Sequence, residues 1–169
     1  LEQAYPGLSG ELHRRACRWY EAQGMLPEAL DHALAAGDME LAAHIISNNV
    51  LALVENDEAV STLQKIDSIP ADKMIALPWL GIARAWALGA GQVHKSHQLL
   101  DAVEKSVDDA PDSIERQRLK GHIAAARAFL FSVQGDQSNT ISHARLANEL
   151  LPPDEIAVRA LNLTIWGDV

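Results

Sequence analysis

The chain has 169 residues, of which 48% are apolar and 5% are aromatic, so it can form a hydrophobic core in one domain or in two small ones. A formal net charge of −9 argues against direct nucleic-acid binding, which usually requires a basic stripe. Cys17 is the only cysteine, which excludes an internal disulfide, and we expect a cytoplasmic protein because neither a signal-peptide pattern nor a membrane-length apolar run is present.

Three short helices are predicted between Leu12 and Asn48. The first ends at Gly24, Pro27 opens the second, and Gly37 ends it. Asp38 is placed to cap the third. The residues predicted to face inward recur at helical spacing: Leu12, Ala16, Trp19 and Tyr20 in the first helix, Ala29, Leu30, Ala33 and Leu34 in the second, and Leu41, Ala42, Ile45 and Ile46 in the third.

This segment resembles the helical middle region of the large ATP-dependent LuxR-type bacterial transcriptional activators, the maltose-regulator (MalT-like) family. The match covers about a fifth of the chain with its spacing intact. The residues that carry it are Leu12, Ala16, Trp19, Tyr20, Gly24, Glu28, Ala29, His32, Ala33, Ala36, Asp38, Ala42 and Ala43.

The resemblance implies a modular parent protein. It would have an N-terminal ATPase, a helical connecting region, a superhelix of helix pairs that senses an inducer, and a C-terminal DNA-binding helix-turn-helix. No Walker A sequence occurs in this chain, so ATP is expected only in the missing N-terminal module and no cofactor is expected here. Both ends of the chain are expected to be cut from a longer protein.

A module boundary is predicted in the middle of the chain. A fourth helix is expected from about 57 to 66, with Val60, Leu63 and Ile66 inward, followed by a short helical turn at 71–76 and a break at Leu77-Pro78. The predicted organisation is therefore a helical connecting region at 1–68, a linker at 69–77 and helical repeats at 78–169.

Helix pairs are predicted after Pro78. The first pair covers 78–90 and 92–107 with Gly91 between its helices, and the second covers 111–134 and 136–151 with Gly135 between them. A third pair opens at Asp154. Its predicted inward stripe consists of Ile156, Ala160 and Leu163, and the end of a truncated stack is expected to expose Ile165 and Trp166.

The second pair resembles a tetratricopeptide repeat, with small residues where the helices cross and a proline after the second helix. The matching residues are Ala128, Phe131, Gly135, Asp136, Ala147 and Pro152. The first pair is at best a degenerate copy, because Arg84 and Asp108 replace the expected alanine and proline. Since no strand pattern is present, we predict an all-α fold of stacked antiparallel helix pairs, a tetratricopeptide-like α-solenoid preceded by a small helical bundle.

The inner surface of such a stack often binds a ligand or protein. The register predicts a surface for a small inducer or a partner, in which two tryptophans supply aromatic faces. Its residues are Trp79, Trp86, His122, Phe129 and Ser132. The alternative for the tryptophans is that they pack between helices.

Other reactive groups give weaker patterns. His94, His97 and Asp101 share a helix face and could ligate a metal, although a solvated face explains them as well. The arginines around Cys17 could lower its pKa, although a small residue filling a packing gap is the simpler interpretation. The acidic run from Asp101 to Glu115 is interpreted as a solvated turn or, alternatively, as a docking patch.

These patterns indicate a non-catalytic regulatory region that relays effector binding. Its expected partners are the ATPase and DNA-binding modules of its own parent protein, a small inducer, and a second copy through self-association, without direct contact to nucleic acid or membrane. The alternatives are a general tetratricopeptide-like scaffold unrelated to transcription and, third, a metal-dependent enzyme using His94, His97 and Asp101.

Overall fold

A computed structural model describes residues 7–55, 66 and 69–167. Within these ranges the chain forms nine α-helices and no strand, which confirms the all-α prediction. The helices are Leu8–Ala22 (α1), Leu26–Ala35 (α2), Met39–Glu55 (α3), Ala71–Ala76 (α4), Pro78–Leu88 (α5), Val93–Asp108 (α6), Ile114–Val133 (α7), Gln137–Leu150 (α8) and Ile156–Gly167 (α9). The helix predicted at 57–66 lies outside the described residues except for Ile66, which is buried.

The chain divides into two compact units, residues 1–73 and 74–169. In the first unit α2 packs against both α1 and α3. In the second unit α5 packs with α6, α7 packs with α8, and α9 packs on that second hairpin. None of the described helices combines the length and the apolar character needed to cross a membrane.

The turns of the first unit follow the predicted pattern. Gly24 and Gly37 end α1 and α2 with φ of 73° and 67°, a left-handed conformation that favours glycine. Asp38 caps α3 as predicted, because its Oδ1 accepts a hydrogen bond of 3.1 Å from the backbone N–H of Leu41. Asp38 also accepts a 2.9 Å hydrogen bond from Arg14 Nε, so this cap also ties α3 to α1.

The predicted inward face of α1 is wrong for Leu12 and Trp19. Leu12 is 47% exposed and Trp19 is 57% exposed, whereas Cys17 is fully buried. The side of α1 that meets α2 carries Cys17 with His13 and Tyr20, both of which contact His32. Because these residues also recur at helical spacing, the periodicity of α1 is satisfied by either face.

Glycines form the hairpin turns of the second unit, but one of them was predicted at the wrong position. Gly135 has φ of 73° between α7 and α8, as the predicted boundary requires. Between α5 and α6 the turn is made by Gly89, with φ of 41° and ψ of −140°, and a 3₁₀ turn over Gly89–Gln92 follows. The prediction of Gly91 as the end of this helix is therefore wrong by two residues.

Two other glycines allow close approach between helices. A Cβ atom added at Gly81 of α5 would overlap Val103 Cγ2 of α6. A Cβ atom at Gly121 of α7 would lie 2.9 Å from Leu151 Cγ and 3.0 Å from the backbone nitrogen of Leu151. Both distances are too short for ordinary contact, so these positions require glycine for packing within each hairpin.

The predicted inward stripe of α9 is also wrong. Ile156 is 74% exposed and Leu163 is 51% exposed, and Ala160 is exposed as well. The buried residues are instead Val158, Asn162 and Ile165. Asn162 is tolerated there because its Nδ2 donates a 2.7 Å hydrogen bond to the carbonyl of Ala144 in α8.

The residues expected to be exposed at the end of the stack are covered. Ile165 is buried with Ala128 and Ala144. Trp166 packs on the edge of this cluster and is half-buried, with the Arg145 guanidinium 5.9 Å from its ring centre. The apolar surface of α9 is therefore carried by Ile156 and Leu163 instead of Ile165 and Trp166.

Candidate functional site

Trp79, near the start of α5, is held by three residues of α7. Its indole Nε1 donates a 2.7 Å hydrogen bond to Glu115 Oε1. The guanidinium of Arg118 lies over the indole, 4.7 Å from its centre, and the edge of the His122 ring meets it at a centroid distance of 4.7 Å. Hydrogen bonding, cation–π attraction and an edge-to-face contact therefore fix one buried indole.

His122 is fully buried and faces a carboxylate that precedes α9. Its Nε2 lies 3.3 Å from Glu155 Oε1, and Arg118 Nε donates a 2.5 Å hydrogen bond to the same oxygen. Neither ring nitrogen of His122 has a well-aligned hydrogen bond within the described part of the chain. The interaction with His122, followed by that with Arg118, outweighs desolvation and lowers the pKa of Glu155 to about 2. We call Trp79, Arg118, His122 and Glu155 the buried network, and Glu115 borders it with an exposed side chain.

A second aromatic layer lies two helical turns further along both helices. The rings of Trp86 and Phe129 have centroids 5.4 Å apart and are tilted by 31°. Ser132 donates its hydroxyl to the carbonyl of Phe129 at 2.7 Å, so it is engaged by its own helix. Because Trp79 and Trp86 are seven residues apart, as are His122 and Phe129, the two layers repeat at a helical period.

The structure therefore brings the five predicted ligand-surface residues together, but mostly inside the helix packing. Trp79, Trp86 and His122 are buried, while Phe129 and Ser132 are half-buried. The positions of both tryptophans match the alternative interpretation, in which they pack between helices.

Sequence reasoning missed Glu115, Arg118 and Glu155. The spacing of Arg118 and His122, four residues apart on one predicted helix, was a usable signal for the first part of the network. Glu155 gave no comparable signal.

An open groove lies elsewhere in the second unit. It has a volume of 390 Å³ and is lined by Ile75, Ala102, Lys105, Ser106 and Asp109. None of the five predicted ligand residues lines it, so the aromatic layers and this groove are separate features.

The weak metal candidates have other partners. The His97 ring contacts that of Phe131 at a tilt of 44° and a centroid distance of 4.7 Å, and its Nε2 lies 3.3 Å from Gln134 Oε1. Asp101 accepts a 2.7 Å hydrogen bond from Arg127, and His94 is exposed. Across residues 7–55, 66 and 69–167, no three His, Cys, Asp or Glu side chains are arranged to hold a metal ion.

Cys17 does not have the environment of a reactive thiol. Burial and the nearby carboxylate of Glu21 raise its pKa, and Arg18 opposes this only in part. The sequence-based idea that neighbouring arginines activate Cys17 is therefore wrong, because two of the three point to solvent and burial dominates. Cys17 fills the α1–α2 interface.

Comparison with known proteins shows similarity to a transcriptional regulator. HTH-type transcriptional regulator MalT of Cronobacter sakazakii is 28% identical to the chain over 160 residues. The similarity supports the resemblance to the MalT-like family that the sequence indicated. The alignment covers 94% of this chain but 17% of the MalT protein, so the chain spans only part of the length of that relative. No protein-family model matches it, and no solved structure matches it.

The MalT-like segment contains an imidazole pair that the sequence did not reveal. Nδ1 of His13 on α1 and Nδ1 of His32 on α2 lie 2.8 Å apart, so one ring donates and the other accepts. Tyr20 stacks on His32 with a centroid distance of 5.2 Å. His32, one of the residues that carry the resemblance, therefore helps to pack α2 against α1 through partly buried side chains.

Proposed function

We propose that this chain is a non-catalytic regulatory region of a cytoplasmic, LuxR-family transcriptional regulator of the MalT type. The observation that carries the proposal is the similarity to a MalT regulator along 94% of the chain. In this proposal ATP binds to another module, and DNA is bound elsewhere because this chain has a net charge of −9. Its partners are the ATPase and DNA-binding modules of its parent protein and, through self-association, a second copy.

The proposed role is to relay the binding of a small inducer through tetratricopeptide-like helix pairs. The buried network supports this role because its polar and charged groups connect α5, α7 and the residue before α9. A ligand that preferred a shifted α5 would have to separate Trp79 from Glu115 and Arg118. Packed helices of this kind change between discrete arrangements. A ligand that binds one arrangement more tightly than the other therefore increases the population of that arrangement.

The experiment is a calorimetric titration of the chain with a panel of mono- and oligosaccharides, combined with emission from Trp79 after Trp19, Trp86 and Trp166 are replaced by phenylalanine. At least one sugar is expected to bind and to change the Trp79 emission, because the indole reports its own contacts with α7. Binding by the full-length regulator without binding by this chain would assign sensing to another region.

The relay itself is tested in the full-length regulator with a transcriptional reporter. Glu155→Gln is expected to change the inducer dependence of transcription, because the amide replaces the carboxylate that faces His122 and Arg118. Leu163→Ala, an exposed position on α9, is the matched control. Equal responses of the two variants would contradict a role of the buried network in signalling.

A further inference from the structure

The exposed side of α1 carries an apolar stripe that the described residues of the first unit leave accessible. Leu8, Leu12 and Trp19 are 37%, 47% and 57% exposed. At 100° per residue these three positions fall within a narrow sector of the helix, directly opposite the fully buried Cys17. Arg15 falls in the same sector, between Leu12 and Trp19. We call Leu8, Leu12, Arg15 and Trp19 the α1 stripe.

The charge beside this stripe is positive although the whole chain is acidic. Arg14 is engaged by Asp38 and Glu11, but Arg15 and Arg18 are exposed. Among the described residues, no carboxylate forms an ion pair with Arg15 or Arg18. The stripe therefore combines large apolar groups with two cations available to an acidic partner.

We propose that the α1 stripe docks an acidic amphipathic helix of a partner protein. The apolar face of the partner would cover Leu8, Leu12 and Trp19, and its flanking carboxylates would meet Arg15 and Arg18. The stripe extends over twelve residues, from Leu8 to Trp19, and about 16 Å of helical rise, which matches the contact length of two packed helices. Tryptophan and arginine at the centre of a contact are the residues that most often dominate binding energy.

A lipid surface fits these observations less well. The apolar sector is narrow and contains Arg15, whereas helices that lie in a membrane interface present a wider apolar face. A helix with carboxylates along one side of an apolar seam matches both the width of the stripe and the side on which Arg15 and Arg18 lie.

The test uses the complete 169-residue chain and a dye-labelled synthetic helix with leucines at heptad positions and glutamates beside them. Fluorescence anisotropy is expected to give a dissociation constant on the order of 10 μM, as for a small transient interface. Trp19→Ser and Arg15→Glu are each expected to weaken binding by at least about tenfold. Both positions are exposed, so circular dichroism and the melting temperature should not change.

Leu163→Ser is the matched control, because Leu163 is a similarly exposed apolar residue on α9. It should leave the affinity unchanged. A second peptide with lysine in place of every glutamate should bind at least about tenfold more weakly, and added salt should reduce the difference. Absence of binding to the acidic peptide, equal binding of the two peptides, or undiminished binding by Trp19→Ser would each overturn the proposal. Binding to phosphatidylserine vesicles without binding to the acidic peptide would overturn it in favour of a membrane surface.

Discussion

Helices α1 and α5 both carry tryptophan but use it in opposite ways. In α1 Trp19 is 57% exposed, although its spacing predicts an inward position. In α5 Trp79 and Trp86 are buried, although their spacing allows a ligand-binding surface. The difference lies in the neighbouring helix, since α2 meets α1 through Cys17 and His13, while α7 offers Trp79 a hydrogen bond, a cation and a ring. Helical periodicity alone therefore does not decide which apolar face is buried.

The largest effect that tests this comparison is expected from replacing each tryptophan by alanine. Trp79→Ala should reduce the free energy of unfolding by about 3–5 kcal/mol, because it leaves a cavity and removes the partner of Arg118 and His122. Trp19→Ala should change it by less than about 0.5 kcal/mol. Urea denaturation followed by circular dichroism measures both, and similar losses for the two variants would contradict the assigned faces.

The sequence predicted the features of the fold that depend on local chemistry, but it did not predict which face of each helix is buried. Asp38, Gly37 and Gly135 were assigned correctly because capping and left-handed turns depend on local chemistry. The inward stripe of α9 was predicted wrongly, because that helix has apolar residues on both sides. Its buried side includes Asn162, whose partner Ala144 lies on another helix, and no local pattern identifies such a partner.

The two units also differ in the polar groups that join their helices. The first uses the direct contact between His13 and His32, and the second uses Glu155 with His122 and Arg118. Because the pKa of Glu155 falls from 4.5 to about 2 on folding, its ionised form stabilises the second unit by about 3 kcal/mol. Glu155→Gln should remove about this amount at neutral pH, as measured by denaturation of both proteins.

The sign of the pH dependence makes this prediction specific. The pKa of Glu155 is lower in the folded state, so its contribution is complete above about pH 4.5 and is lost as the pH falls towards 2. The difference between the wild type and Glu155→Gln should shrink over this interval. The pKa values of Asp38, Asp108 and Asp136 are also lowered, but these groups are present in both proteins and cancel. A constant difference from pH 7 to pH 3 would show that Glu155 does not act through its charge.

The candidate site was predictable only where its residues share a helix. Trp79 and His122 were selected because the repeat register places the first helix of each pair on the inner surface of the stack. Glu155 was not, because it precedes α9 and reaches His122 only through the packing of α9 on α7. Whether an aromatic residue is exposed or buried likewise depends on the distance between neighbouring helices. Glycines such as Gly81 and Gly121 permit a short distance.

Glycines within α1 and α7 provide the next test of the comparison. Gly121→Ala should destabilise the second unit by about 1–3 kcal/mol, because the new Cβ would lie 3.0 Å from the backbone nitrogen of Leu151, which cannot move freely. Gly10→Ala should instead stabilise the first unit by up to about 1 kcal/mol, since the new Cβ makes only ordinary contacts at 3.7 and 3.8 Å. Thermal denaturation gives both signs, and stabilisation by Gly121→Ala would contradict the close approach of α7 to Leu151.

The smallest effect concerns the turns, where the two units should behave alike. Gly24 and Gly135 both have φ of 73° and no atom within 4 Å of an added Cβ, so valine at either position should cost about 1–2 kcal/mol through backbone strain alone. Gly91→Val is the control, because Gly91 is exposed and is not one of the glycines with positive φ. Melting temperatures should therefore fall for the first two variants and stay nearly constant for the third. If Gly91→Val lowered the melting temperature as much as Gly135→Val, the result would contradict the turn at Gly89 and would support the sequence-based prediction that α5 ends at Gly91.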